Sequence, residues 1–151
     1  MKYSYKTETG EIRIINVLEG SITPFLPEGS ELIGVVYDQL PSRYFRSIWK
    51  EENGQIKVDL AEARAFKMNK IREERDKYLL ESDRDFAEQM SKVYANPTHG
   101  KKAMNEVAAI PEVKAILDRK EMLRDIPTDH QAALDAVESL EDIESYSVSF
   151  S

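Results

Sequence analysis

DLAEARAFKMNKIREERDKYLLESD, residues Asp59 to Asp83, decides how the chain is organised. It reads as one amphipathic helix. Asp59 suits an N-cap, and Glu62 stands where a capping-box carboxylate reaches back to the cap N–H. No Gly or Pro interrupts the stretch, and good helix formers fill it. At about 100° per residue, Leu60, Ala61, Ala65, Met68, Ile71, Tyr78 and Leu79 share one face. Phe86, Met90 and Val93 extend that face, so the helix is expected to run toward Tyr94, where Asn96-Pro97 stops it. Arg75 falls in the middle of the apolar face and needs a carboxylate partner there. If the next long helix runs antiparallel, Arg75 is expected to pair with Asp125, in the second Arg-Asp pair, or to cap the backbone carbonyls near Ile126.

Upstream of Asp59 the pattern is β. Tyr3 to Lys6 and Glu11 to Leu18 flank Thr9-Gly10, a first hairpin. Gly20 to Gly29, with Pro24 and Pro27, reads as a loop. Glu31 to Tyr37 (ELIGVVY) is apolar enough for a strand buried on both faces, with Gly34 at a bulge. Arg46 to Glu51 and Gln55 to Val58 flank Asn53-Gly54, a strong hairpin signal because both turn residues must take positive φ. That register pairs Glu52 with Gln55 and Glu51 with Ile56, and carries Trp49 to Val58.

Downstream, Ala95 to Gly100 is a polar break and Lys101 to Ala109 a short helical piece. Pro111 opens a helix to about Asp125, with Val113, Ile116, Leu117, Lys120 and Leu123 along one side. Ile126-Pro127 is expected to end it, and Thr128 or Asp129 to cap a last helix carrying Ala133, Leu134, Val137 and Leu140. Tyr146-Ser-Val-Ser-Phe-Ser151 alternates like a strand. The fold class is therefore α+β: a small N-terminal antiparallel β subdomain (1–58), then a long amphipathic helix and a helical hairpin or bundle (59–143). A strand-like or disordered tail (144–151) closes the chain.

At 151 residues this is room for one domain, or a small subdomain with a helical arm. The net charge of −7 argues against a general nucleic-acid binder. Residues 1–58 carry −1 and residues 59–151 carry −6, so the acidity sits in the helical half. No apolar run approaches the roughly 20 residues of a membrane span. The N-terminal MKYSYKTETG has no apolar signal-peptide core. There is no cysteine, hence no disulfide or thiolate chemistry.

Catalytic chemistry is not visible. His99 and His130 sit among polar residues beside expected helix breaks, without the spacing of metal ligands. Asp83 and Asp85 diverge on a helix and read as solvated acids. Cations from Arg64 to Lys77 are interleaved with Glu62, Glu73, Glu74 and Asp76, a salt-bridged surface rather than a nucleic-acid face. No cofactor or metal site is expected. Two stretches look built for protein contacts. In Leu40-Pro-Ser-Arg-Tyr-Phe-Arg-Ser-Ile-Trp49, Arg43, Tyr44 and Arg46 have the composition of a binding hot spot, while Phe45 and Trp49 suit a core. In the tail, Tyr146, Val148 and Phe150 share one face and could add a strand to a neighbour's open sheet edge.

Leu40-Pro-Ser-Arg-Tyr-Phe-Arg-Ser-Ile-Trp49 is followed in order by a hairpin, Val58-Asp59, Arg72-x-x-Arg75-Asp76-x-x-Leu79-Leu80-x-x-x-Asp83 and Arg119-Lys-x-x-Leu123-Arg124-Asp125-Ile126-Pro127. This order resembles the tail assembly chaperones encoded beside tail-fibre genes in tailed bacteriophages. It departs from that family after Asp83, where a Trp is common and Arg84 stands here, and near the end, where a Trp-Pro is absent. The resemblance implies a non-enzymatic protein that binds a tail or tail-fibre polypeptide in the host cytoplasm during assembly. An accessory adaptor retained in the virion tail, with or without homo-oligomerisation, is the alternative it leaves. A small metal-dependent hydrolase or nuclease is a third, which the histidine inventory disfavours.

Overall fold

A computed structural model describes residues 1–18, 25–36, 39–98 and 102–151. The Gly20–Pro24 part of the expected loop, Tyr37, His99, Gly100 and Lys101 lie outside them. The chain forms two compact units, Met1–Phe66 and Lys67–Ser151, dividing inside the long helix.

In the first unit, β1 (Lys2–Lys6), β2 (Ile12–Asn16) and β3 (Glu31–Val35) form an antiparallel sheet in the order β2-β1-β3. The β1–β2 hairpin turns at Gly10, whose φ of 86° suits glycine. The bulge expected at Gly34 is present. Ser4 faces Gly34 and Tyr5 faces Leu32, so the register slips by one residue between them. β3 is not buried on both faces as expected. It is an edge strand paired only with β1, and Leu32 is exposed. Its apolar run reflects β propensity rather than a central position.

β4 (Lys50–Glu52) and β5 (Gln55–Lys57) form the Asn53-Gly54 hairpin in the expected register, with both turn residues at positive φ. Trp49 does not extend the ladder to Val58. It ends a 3-10 helix, Arg43–Ile48, where a strand from Arg46 was expected. Ser42 caps this helix, its hydroxyl accepting from the Tyr44 N–H at 3.2 Å. Trp49 is buried and its indole N–H donates to the Ser42 carbonyl at 3.3 Å, so it folds back onto the start of the helix.

α1 runs Leu60–Ala95, the extension beyond Asp83 that its apolar face implied. Asp59 accepts from the Glu62 N–H at 3.0 Å, as an N-cap should. The Glu62 carboxylate does not complete the box but pairs with Lys50 on β4. Ala61 and Ala65 are exposed while Ala63 is buried. These first turns belong to the first unit, where the Phe66 ring meets Tyr44 and Phe45.

In the second unit, Met68, Ile71 and Val93 of α1 are buried and Tyr78, Leu79, Phe86 and Met90 half-buried, as the stripe predicted. α2 (Met104–Ala108) contributes Val107, which packs with Val93 and Val113. α3 runs Pro111–Asp135, with Pro111 in its first turn as expected. It does not stop at Ile126-Pro127. The proline lies inside the helix, buried beside Ile126. Val113, Leu123, Ile126, Pro127 and Leu134 form one buried stripe through that point, and the packing of that stripe outweighs one missing N–H. Neither Thr128 nor Asp129 caps a helix. Ser139 caps α4 (Leu140–Ser145) instead, accepting from the Asp142 N–H at 3.1 Å.

α1 and α3 run antiparallel, and charged pairs fix their register. Lys120 pairs with Asp83 and lies 5.3 Å from the Phe86 ring centroid, while Arg119 reaches Glu81 at 3.8 Å and Asp85 at 4.0 Å. Arg75 neither meets Asp125 nor caps the carbonyls near Ile126. It bonds its neighbour Asp76 at 2.6 Å, because from a half-buried position its long side chain can turn to the helix edge. Asp83 and Asp85 are exposed, as expected of solvated acids, and in addition face the α3 cations.

Candidate functional site

The Arg43–Tyr44–Arg46 cluster takes its geometry from the 3-10 helix. With about three residues per turn, side chains at i and i+3 eclipse one another. Arg43 and Arg46 therefore stand on one side, exposed, and Phe45 turns inward and is fully buried. A strand would have put Arg43 and Arg46 on opposite faces. Tyr44 is half-buried between the two roles. Its ring meets Phe45 edge-on at 4.9 Å and Phe66 at 5.4 Å, which fixes the side chain against the core. Phe45 and Trp49 are core, as their composition suggested.

Arg46 borders two open clefts. One also contains Glu11, Arg13, Tyr44 and Ser47. There Arg13 is held by Glu11 at 2.9 Å, and that hydrogen bond raises the guanidinium pKa. The other cleft joins Arg46 to Arg43 and to Lys2 of β1, over Trp49, Leu40 and Pro41. Lys2 was not apparent as a neighbour, because only the packing of β1 near the 3-10 helix brings it there. Among the described residues, no ion pair holds Lys2, Arg43 or Arg46.

Tyr146, Val148 and Phe150 belong to the second unit. They do share one face, but the tail forms no strand. That face is turned onto its own unit. The Tyr146 hydroxyl and His130 Nδ1 are 2.7 Å apart, Val148 is half-buried, and Phe150 is buried in a stack on Tyr78. Lys67 donates to the Glu144 carbonyl at 2.6 Å just before the tail. Partial burial lowers the Lys67 pKa, against the opposing pull of Glu144 and Glu74. His130 is accordingly a half-buried, hydrogen-bonded residue inside α3, not an exposed residue at a helix start. Sequence spacing gave no sign of its partner.

Among the described residues, no group of three metal-ligating side chains converges, and no helix is long and apolar enough to cross a membrane. Among the interleaved cations of α1, Lys70 pairs with Glu73 and Arg75 with Asp76 as expected, whereas Arg72 donates to the Asn69 amide oxygen. No protein-family model, curated protein or solved structure matches this chain.

Proposed function

We infer that this chain is a tail or tail-fibre assembly chaperone of a tailed bacteriophage, binding its client polypeptide without catalysis. The observation that carries the reading is the Arg43–Arg46 pair, two exposed guanidiniums without an ion pair among the described residues, on one side of a capped 3-10 turn and flanked by a braced Tyr44. Arginine and tyrosine are enriched at binding hot spots, and Tyr44, already braced against Phe45 and Phe66, has little side-chain freedom left to lose on binding. The order of motifs from Leu40 to Pro127 supports the phage assignment. On this reading the protein works in the host cytoplasm, and its partner is a tail or fibre chain.

Co-expression with the neighbouring tail-fibre protein tests it. Arg43→Ala with Arg46→Ala is expected to leave the circular dichroism spectrum and melt unchanged and to abolish co-purification. Retained co-purification would move the interface off this turn. Mass spectrometry of purified particles then separates the roles: a chaperone is absent, and an adaptor is present at fixed stoichiometry.

A further inference from the structure

The cleft beside the arginine pair has a volume of about 550 Å³, and its walls include Lys2, Arg43, Arg46, Leu40, Pro41 and Trp49. Three of its nine described lining residues are cations, and among the described residues no carboxylate lines it. The chain as a whole carries a net charge of −7, so this cleft departs from its acidic balance. The contrast is local as well. In the adjacent cleft Arg13 already has its carboxylate, Glu11. Three cations without an ion pair among the described residues stand around one opening and favour an anion entering it. Guanidinium forks fit carboxylates with two parallel hydrogen bonds, and the lysine adds a point charge. The floor is apolar, however, and a small inorganic anion would leave Leu40, Pro41 and Trp49 unused.

We propose that this cleft binds a short acidic–apolar polypeptide segment. Its carboxylates pair with Arg43, Arg46 and Lys2, and an aliphatic side chain between them sits against Leu40, Pro41 and Trp49. The proposal rests on reading this turn as the partner-binding surface, and names the chemistry of the partner there.

Trp49 is the only tryptophan, so its emission reports from the cleft itself. The full chain is titrated with Ac-Glu-Leu-Asp-Leu-Glu-NH2, with its amide analogue Ac-Gln-Leu-Asn-Leu-Gln-NH2, and with inorganic phosphate. The acidic peptide is expected to give a saturable change in emission that weakens severalfold between ~50 mM and ~0.5 M salt, as the Debye length shortens. Arg43→Gln with Arg46→Gln is expected to weaken it by about tenfold or more, since each charge-assisted hydrogen bond is lost. No saturable change into the millimolar range overturns the proposal, as does equal binding of the amide peptide. Phosphate binding as tightly as the acidic peptide also overturns it, leaving an anion site without an apolar half. Capture of a tail protein with no peptide binding removes the cleft chemistry but keeps the assembly role. Peptide binding with no tail-protein capture supports the cleft and removes the assembly role.

Discussion

The rings of Tyr78 and Phe150 are stacked, with centroids 5.1 Å apart and planes 9° from parallel. This contact ties the extended tail to the middle of α1, and the Tyr146–His130 hydrogen bond ties its start to α3. The tail has no strand ladder, so side chains hold it down. Phe150→Ala should remove roughly 3 kcal/mol of docking, and Tyr146→Phe about 1 kcal/mol. In Phe150→Ala, backbone order parameters over residues 146–151 should fall below about 0.6 while α1 and α3 stay rigid. A tail that stays ordered without Phe150 would show that the stack is not its anchor.

The Asp83–Lys120 pair is the contact that sets the α1–α3 register, since the Lys120 side chain is only 15% exposed and also faces Phe86. A double-mutant cycle of Asp83→Asn and Lys120→Met should give a coupling of about 0.5–1 kcal/mol, limited by the exposure of Asp83. The same cycle on Arg75 and Asp125 should be additive, because Arg75 is bonded to Asp76. Coupling at Arg75–Asp125 and none at Asp83–Lys120 would mean that the helices pair in another register.

What the sequence made legible follows how local each signal is. The Asn53-Gly54 turn needs two positive φ values, a demand written in two adjacent residues, and the hairpin formed in the expected register. The long α1 stripe was legible from Met68 to Val93 because its neighbours, α2, α3 and the tail, belong to one unit. It failed at Ala61 and Ala65, where the first turns pack in a different unit and the buried face rotates to Ala63. Pro127 misled for the same reason: a local stop signal was outweighed by packing along the whole helix. In the candidate site, residue types pointed to Arg43 and Arg46, but not to their side-by-side placement. That depends on a 3-10 turn set by the Ser42 cap, in a stretch whose aromatic content reads as strand.

Pro127 itself offers a test of that balance. Without an N–H it leaves the Leu123 carbonyl without its usual donor inside α3. Pro127→Ala restores the donor and relieves a helix penalty of up to about 3 kcal/mol, at a cost of about 1.6 kcal/mol for the two buried ring methylenes lost. The variant should be more stable by roughly 1–2 kcal/mol in urea unfolding. A loss of stability would show that α3 is built around the bend or ring of the proline.

Lys67 should give the second unit an alkaline signature. Its folded pKa lies below the ordinary 10.5 because burial disfavours the charged form. Between the folded and unfolded pKa values the unfolded chain binds more protons, so stability rises with pH toward 10.5. Lys67→Arg, which stays charged throughout, should lack this rise. Parallel stability–pH curves for the two proteins would mean that Lys67 titrates as it does in the unfolded chain.

Ser82 is the one fully buried polar side chain on α1 among the described residues, and its hydroxyl has no hydrogen-bond partner. It lies between Tyr78 and Phe86 on the inward stripe, next to the Asp83–Lys120 pair. A larger residue there would push against the packed face, and a buried unmade hydrogen bond is itself costly. Ser82→Ala keeps the small volume, removes the unsatisfied hydroxyl and improves helix propensity. It should raise stability by about 1 kcal/mol, whereas Ser82→Leu should lower it by roughly 1–3 kcal/mol through overpacking. Leu123→Ala, at a fully buried position on α3, sets the scale with a loss of about 2–5 kcal/mol. Loss of stability in Ser82→Ala would mean that the hydroxyl does find a partner, and that the α1–α3 seam contains a polar contact beyond its three charged pairs.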